Sequence, residues 1–327
     1  AHEAADAEPD EGTEADGGCR RVTHLAVEEL ATIPGRPVSY WLPAPLRRQF
    51  AGTRRLGDVA EVPGCQNKTG ANREYVREWR EVSADAIEWR PMEAEPGEGP
   101  RTLEPREGTR WYFYSKGGRY APWWGNWENV VDWSEEARAF YDENSTSNLL
   151  PARFRFREGI CYTDFGGRTF NARWMPAGCL FDMAGPAIFP DLGGDAPRRE
   201  LFAMLAVLNS RPVAMLLNGL NPSIHYQITD LRRLPLPEWD AETGRRLAEL
   251  AVAQIRDLRR IAAGVEASPL GASGRDWDVE VPDGDEVRSI GERILERDQL
   301  IDEIAWDIYG GEVFESGERS RHHYVES

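Results

Sequence analysis

Two C-terminal stretches repeat at alternating steps of four and three, one through Leu247, Ala251, Gln254, Leu258 and Ile261, the other through Val287, Ile290, Ile294, Arg297, Ile301, Ile304 and Ile308. Such spacing lays one stripe along a helix, and the Gly-rich, acidic break between the stretches predicts an antiparallel helical hairpin. Upstream, "ELFAMLAVLNSRPVAMLLNGL" (200–220) is strongly apolar and helical but is interrupted at Asn209-Ser210. Ser210 is placed to cap a second short helix with Pro212 in its first turn. A period of two governs residues 153–189: "RFRFREGICYTDFGGRTFNARW" alternates arginine with phenylalanine, turns at Gly166-Gly167 and alternates again, and "GCLFDMAGPAIFP" adds buried strand. Antiparallel sheet is the expectation there. From Leu56, apolar positions alternate on both sides of a polar loop at Pro63–Asn72, predicting strand, loop, strand.

The intervening text fills in the organisation. "VTHLAVEELATIPG" has helical spacing and stops at Pro34-Gly35, and "SYWLPAPLRRQF" offers a short amphipathic helix. Pro91–Arg110 is Pro, Gly and charge, an exposed connection, whereas "WYFYSKGGRYAPWWGNWENVVDW" crowds aromatic residues around Lys116-Gly117-Gly118. The chain therefore divides into an acidic disordered linker at 1–21, a β-rich domain at 22–237, and a helical hairpin with tail at 238–327. The fold class expected is α+β, an antiparallel β-rich domain followed by a long antiparallel helical hairpin.

Charge changes the picture once it is located. The formal net charge of −17 is terminal: residues 1–18 carry seven acids and no base, and residues 238–327 carry twenty-two acids against eleven arginines, leaving 19–237 at +1. A locally positive face is thus compatible with an acidic chain. With 327 residues, 41% of them hydrophobic, a substantial core is expected. No run of eighteen apolar residues occurs and the first residues are acidic, so neither a membrane span nor a signal peptide is expected, and a cytoplasmic location is. The opening on Ala1 instead of methionine points to a piece of a longer protein. Cys19, Cys65, Cys161 and Cys179 lack C-x-x-C spacing, which argues against a zinc ribbon or a disulfide framework.

Catalytic patterns fail one by one. A PD…(D/E)-x-K nuclease needs an acid two residues before its lysine, but Gln66 precedes Lys68 and Tyr114 precedes Lys116, the chain's two lysines. No phosphate-cradling loop and no G-x-S-x-G elbow is present. "DFGGR" (164–168) has the look of an adenosylmethionine turn, yet "TFNARW" behind it reads as strand, not the helix such a site requires. "NPSIHYQ" (221–227) is close to the NPP(Y/F) box that holds a flipped adenine, but Ser223 replaces the second proline and Ile224 the stacking aromatic. Asn221-Pro222 reads instead as the stop of the preceding helix, with His225, Tyr226 and Gln227 leading into a final strand.

Several separated blocks, in order, carry a resemblance: "LGDVAEVPGCQNKTGANREYVREWREV", "WYFYSKGGRYAPWWGNWENVVDW", "FREGICYTDFGGRTFNARWMPAGCLFDMAGPAIFP", the stretch Met204 to Pro212, and "LNPSIHYQITDLRRLPLP". Together they resemble the C-terminal target-recognition region of PglX-type adenine-specific DNA methyltransferases of BREX and DISARM phage-defence systems, related to single-chain type II restriction-modification enzymes. The opening and closing motifs are also similar to one recognition unit of type I specificity subunits. The resemblance implies that 22–237 is a DNA target-recognition domain whose partners are double-stranded DNA, a methyltransferase catalytic domain (upstream in the same chain or a separate subunit) and other defence-system proteins. It implies no cofactor in this chain and S-adenosylmethionine in the missing catalytic domain.

Reading bases needs side chains with paired donors and acceptors, and cations on phosphates. The loop 65–73 offers Gln66, Asn67, Lys68, Thr69, Asn72 and Arg73; "SKGGRY" offers Lys116 and Arg119; "GGRTFNAR" offers Arg168, Asn171 and Arg173; the closing corner adds His225 and Gln227. Each has a structural rival: polar glycine loops are often plain turns, and Trp123, Trp124 and Trp127 suit packing better than base stacking. Three other functions remain open at this point: a stand-alone specificity subunit of a type I-like system, a Trp-rich carbohydrate-binding protein, and a structural partner-binding module resting on the hairpin.

Overall fold

Among the described residues, eight short strands form two four-stranded sheets in a computed structural model that describes residues 33–35, 37, 39–52, 54–166, 169–191, 198–271 and 279–310. The first sheet has the order β1 (Ala60–Glu61), β8 (Ala187–Pro190), β5 (Gly159–Tyr162), β6 (Ala172–Met175), antiparallel throughout. The second runs β2 (Val76–Glu78), β4 (Asn129–Asp132), β3 (Trp111–Ser115), β7 (Leu180–Phe181), antiparallel except for the parallel β3–β7 pair. Every residue of β3, β5, β6, β7 and β8 is buried. That is why "WYFYS" and "AIFP" are continuous apolar runs instead of alternating ones. Phe181 of β7 meets Phe189 of β8 with ring centroids 5.7 Å apart, so the two sheets share a core.

Helices close that core. The labelled helices are α1 (Glu135–Glu143), α2 (Arg199–Leu208), α3 (Arg211–Leu220), α4 (Ile228–Arg233), α5 (Ala241–Ala263) and α6 (Gly284–Ile308). The side chain of Asp240 caps α5 at Thr243 N (2.7 Å) and that of Asp283 caps α6 at Glu286 N (2.8 Å). These two helices form the expected hairpin: Gln254 Nε2 donates to Asp298 at 2.7 Å and Arg260 pairs with Glu286 at 2.6 Å, so one helix climbs as the other descends. Leu247, Ala251, Gln254, Ile290, Ile294, Ile301 and Ile304 are buried, and the stripe position Arg297 reaches Asp257 at 2.5 Å across the seam. Helix α2 lies between α5 and the first sheet, with Phe202 against Trp174 at 6.1 Å. At the far end Tyr309, fully buried, donates its hydroxyl to Pro235 O at 2.9 Å and accepts at its carbonyl from Gln49 Nε2 at 2.9 Å.

Several local expectations give way. Leu56–Val59 is one helical turn, not strand, because Gly57 packs on α4 so closely that a Cβ there would lie 2.9 Å from Arg232 O. Asn72–Tyr75 is likewise a helical turn before β2. In Arg153–Arg157 the alternation of burial holds, with Phe154 and Phe156 inside, but the backbone turns and the ladder begins only at Gly159. Arginine stems cover the rings instead: Arg153 lies over Phe154, Arg155 over Trp133 and Arg157 over Phe189. Ser210 stands at the N-cap of α3, yet its hydroxyl donates back to Val207 O at 2.6 Å, and the Arg211 N–H goes to Asp302 of α6 at 2.7 Å. Helix α3 does stop at Leu220, with Asn221 extended before Pro222, but Gln227 leads into α4 and not a strand. The short helix in "SYWLPAPLRRQF" is Ala44–Arg48. The linker 1–21, nearly all of the helical spacing at 22–35, Arg168, the centre of the interhelical loop at 272–278 and the tail from 311 lie outside the described residues. No single helix among the described residues is long and apolar enough to cross a membrane.

Candidate functional site

Loops from both sheets converge at one end of the molecule, laced by backbone hydrogen bonds. Asn67 N donates to Phe181 O at 3.0 Å and Asp182 N to Ser115 O at 2.9 Å, which ties the 63–72 and 116–119 loops to the β7–β8 connection. Asp164 N donates to Ala184 O at 3.2 Å and Tyr226 N to Asp164 O at 2.7 Å, which adds the β5–β6 loop and the closing corner 221–227. Arg232 of α4 donates to Val62 O at 3.0 and 2.7 Å, at the root of the first loop. Blocks far apart in sequence thus form one surface.

The 63–72 loop is held from beneath. Asn148 exchanges backbone hydrogen bonds with Lys68 at 2.8 and 2.9 Å and donates its side-chain amide to Gln66 O at 2.6 Å. The buried Tyr114 hydroxyl donates to Asn67 O, and burial pushes that phenol far above its ordinary value. Gly70 has φ +69°, and a Cβ there would lie 2.8 Å from Thr146 Oγ1. Gln66, Asn67 and Thr69 are buried, so their polar atoms support the loop rather than face solvent. Thr69 Oγ1 donates to Asn72 Oδ1 at 2.6 Å, so the oxygen of the exposed Asn72 amide is engaged within the loop. Lys68 and Arg73 are exposed.

In the second loop, Lys116 is tied to Asp182 at 2.5 Å and lies over the Tyr114 ring at 5.2 Å, while Arg119 is exposed. Asn171 and Arg173, both buried, form an internal pair at 2.7 Å that also takes in Thr163 Oγ1 at 3.0 Å. In this conformation these two side chains face the interior beneath the surface loops, because the hairpin's own oxygens hold the guanidinium. His225 and Gln227 are exposed; His225 Nδ1 lies 3.9 Å from Asp164, whose carboxyl burial pushes upward. Trp123, Trp124 and Trp127 are buried, and Trp124 packs on Trp174 at 5.8 Å beneath Arg259. Packing, as expected, is their role.

The expected contacts did not include Asp182, Asn148 or Arg233, nor three exposed apolar tips, Phe165, Met183 and Ile224. A large apolar residue flanked by turn residues, as in "DMAGP" and "NPSIH", was the available signal. Close approach of two loop backbones is the other omission. A Cβ on Gly185 would lie 2.5 Å from Gly117 N and 2.6 Å from Ser115 O. Gly185→Ala is therefore expected to separate the loops and to lower stability by about 1–3 kcal/mol, measured as an earlier urea midpoint; an unchanged midpoint would show that the two loops do not need this contact.

Exposed cations stand on these segments and just beyond them, with the exposed Glu74 next to Arg73. Lys68, Arg73, Arg119 and Arg233 stand in water without an ion-pair partner among the described residues, on a chain of net charge −17. The next described regular element after Asp164–Gly166 is strand β6, not a helix, so these residues do not fit an adenosylmethionine turn.

No protein-family model matches the chain. Among solved structures, the type IIL restriction-modification enzyme MmeI in complex with DNA aligns with a TM-score of 0.46 at 10% identity, covering 77% of this chain and 33% of that one. The adenine-specific methyltransferase PglX of Lacticaseibacillus casei (strain Zhang) is 27% identical over 233 residues, 69% of this chain and 18% of its own length. The adenine-specific methyltransferase BrxX of Escherichia coli O9:H4 (strain HS) is 26% identical over 208 residues, 64% of this chain and 16% of its own. The chain spans less than a fifth of the length of these curated relatives. Homology thus runs along roughly two thirds of the sequence, and the relatives of this chain are adenine-specific methyltransferases of the PglX and BrxX kind.

Proposed function

We propose that this chain is the DNA target-recognition part of a site-specific adenine DNA methyltransferase, serving phage defence or restriction-modification. The observation that carries the reading is the backbone lacing of the 63–72, 116–119, β5–β6 and 221–227 segments into one surface, which bears the exposed Lys68, Asn72, Arg119, His225 and Gln227 on a chain of net charge −17. Lys68, Arg73, Arg119 and Arg233 would set register on phosphates, while Asn72 and Gln227 address base edges and His225 assists. Gln66, Asn67, Thr69, Asn171 and Arg173 would act indirectly, by fixing the loops. S-adenosylmethionine, which supplies the methyl group, belongs on this reading to a catalytic domain elsewhere in the same protein or in a second subunit. The acidic termini oppose non-specific adhesion to nucleic acid.

Counterion release gives the test. Four neutralised phosphates imply a slope of about −3.6 in log K against log salt, so affinity for a duplex should fall about 10²-fold between roughly 50 and 200 mM salt. The Lys68→Glu/Arg73→Glu variant should flatten that slope by about two. Binding indifferent to salt, or binding to oligosaccharide in place of duplex, would sink the reading.

A further inference from the structure

We propose that Phe165, Met183 and Ile224 form an apolar wedge that enters a base step of duplex DNA and parts the stack there. The inference rests on the DNA-reading function above and adds to it a mode of duplex distortion. Nine large apolar side chains stand exposed among the described residues, and four of them lie on this one end: Phe165 at 56%, Ile224 at 53%, Met183 at 51% and Tyr120 at 43%. Apolar side chains scattered singly need no explanation, but a concentration on adjoining loops does.

The three tips sit on backbone segments that are bonded side by side. Gly166 N donates to Ile224 O at 3.0 Å, Tyr226 N to Asp164 O at 2.7 Å and Asp164 N to Ala184 O at 3.2 Å. Met183 N donates to the Asp182 carboxylate at 2.7 Å, which is itself fixed by Lys116. Beneath them the rings of Tyr226, Phe170 and Tyr162 are buried and stacked edge to face or tilted at 5.0 and 5.3 Å. The tips therefore stand on a packed floor, which a wedge needs if it is to part bases instead of folding back.

Chemistry selects the occupant. An opened base step offers apolar faces bordered by anionic phosphates, and this patch offers apolar tips flanked by His225, 5.2 Å from the Phe165 ring, and by Lys116, which holds the Asp182 carboxylate at the base of Met183. Partial unstacking beside the target also lowers the cost of turning a base outward for chemistry by a catalytic partner.

The test uses the whole chain and two fluorescent duplexes of about 25 base pairs, one intact and one with a central one-nucleotide gap, at about 50 mM salt. The gap opens the stack in advance, so the wild type should bind the gapped duplex about tenfold more tightly. Phe165→Ala/Met183→Ala/Ile224→Ala should bind both alike, at the wild-type affinity for the intact duplex. Met183→Ser alone, which removes no ring contact, should show an intermediate preference and guards against misfolding of the triple variant. Equal binding of both duplexes by the wild type overturns the wedge and leaves DNA reading intact; failure to bind either overturns both. A triple variant that keeps the gap preference, or that loses only self-association in sedimentation, also overturns it, the latter by assigning the patch to a protein partner.

Discussion

Glu158→Ala is expected to destabilise the fold by about 3–5 kcal/mol, seen as a large drop in the urea midpoint at an unchanged slope. The Glu158 carboxylate is almost inaccessible and joins three parts of the molecule. Trp174 Nε1 of β6 donates to one oxygen at 2.9 Å, and Arg198, at the start of α2, donates to the other at 2.6 Å. Arg198 continues to the carbonyls of Gly99 and Pro100 at 2.7 and 3.2 Å, and so pins the long connection to the helix. Burial pushes the Glu158 carboxyl upward, and the Arg198 guanidinium opposes that push. Removing the carboxylate strands a nearly buried cation and an indole N–H, which costs more than the pair itself contributes. Glu158→Gln should fall between the two, because its amide keeps one acceptor. Glu158→Ala with Arg198→Met should recover part of the loss, and midpoints that simply add would show the two groups uncoupled.

Stability should also fall as pH rises from about 4 to about 7, and Asp302→Asn should remove most of that slope. Asp302 lies in α6, its side chain 21% exposed, with Oδ1 accepting from Arg211 N at the start of α3. Burial pushes its carboxyl up to about 7, with Arg211 opposing the shift and Asp298 and Glu303 adding to it. Sign follows from proton counting: between the unfolded and folded values the native state holds a proton that the unfolded chain has released. Stability is therefore complete below the unfolded value and is lost through about 7, flat beyond. A gap of about three pKa units sets a ceiling near 4 kcal/mol, and the residual exposure brings the expectation to about 2–4. Asparagine keeps the acceptor for Arg211 N and has no charge to bury, so Asp302→Asn should be the more stable protein at pH 8 and nearly equal at pH 4. Parallel stability curves for the two proteins would refute the assignment.

What the sequence disclosed depended on the range of the interaction. The hairpin stripe, the break at Asn209-Ser210, the stop at Asn221-Pro222 and the β5–β6 hairpin were legible because periodicity and local stereochemistry decide them. The parallel β3–β7 pair was not, since nothing within Trp111–Ser115 announces a partner at Leu180. Likewise the alternating Arg and Phe of 153–157 encoded burial but not backbone, because arginine stems can shield rings on a turn as well as on a strand. At the candidate site, a polar loop residue looks exposed until its partner is known. Asn67 sits beneath Tyr114, and Arg173 beside Thr163 and Asn171, through contacts that no window of the sequence contains. Gly185 gave no sign of its role for the same reason.

The anchoring of Tyr309 sets a timetable for biosynthesis. Its carbonyl takes the Gln49 amide across 260 positions of chain. At about 5–20 residues per second, Gln49 is made some tens of seconds before the residue that completes its contact. Through that interval α2 and α3, apolar on most sides, and the inner faces of the sheets wait for α5 and α6 to cover them. The time these surfaces spend uncovered during synthesis is thus set by α6, the latest helix among the described residues.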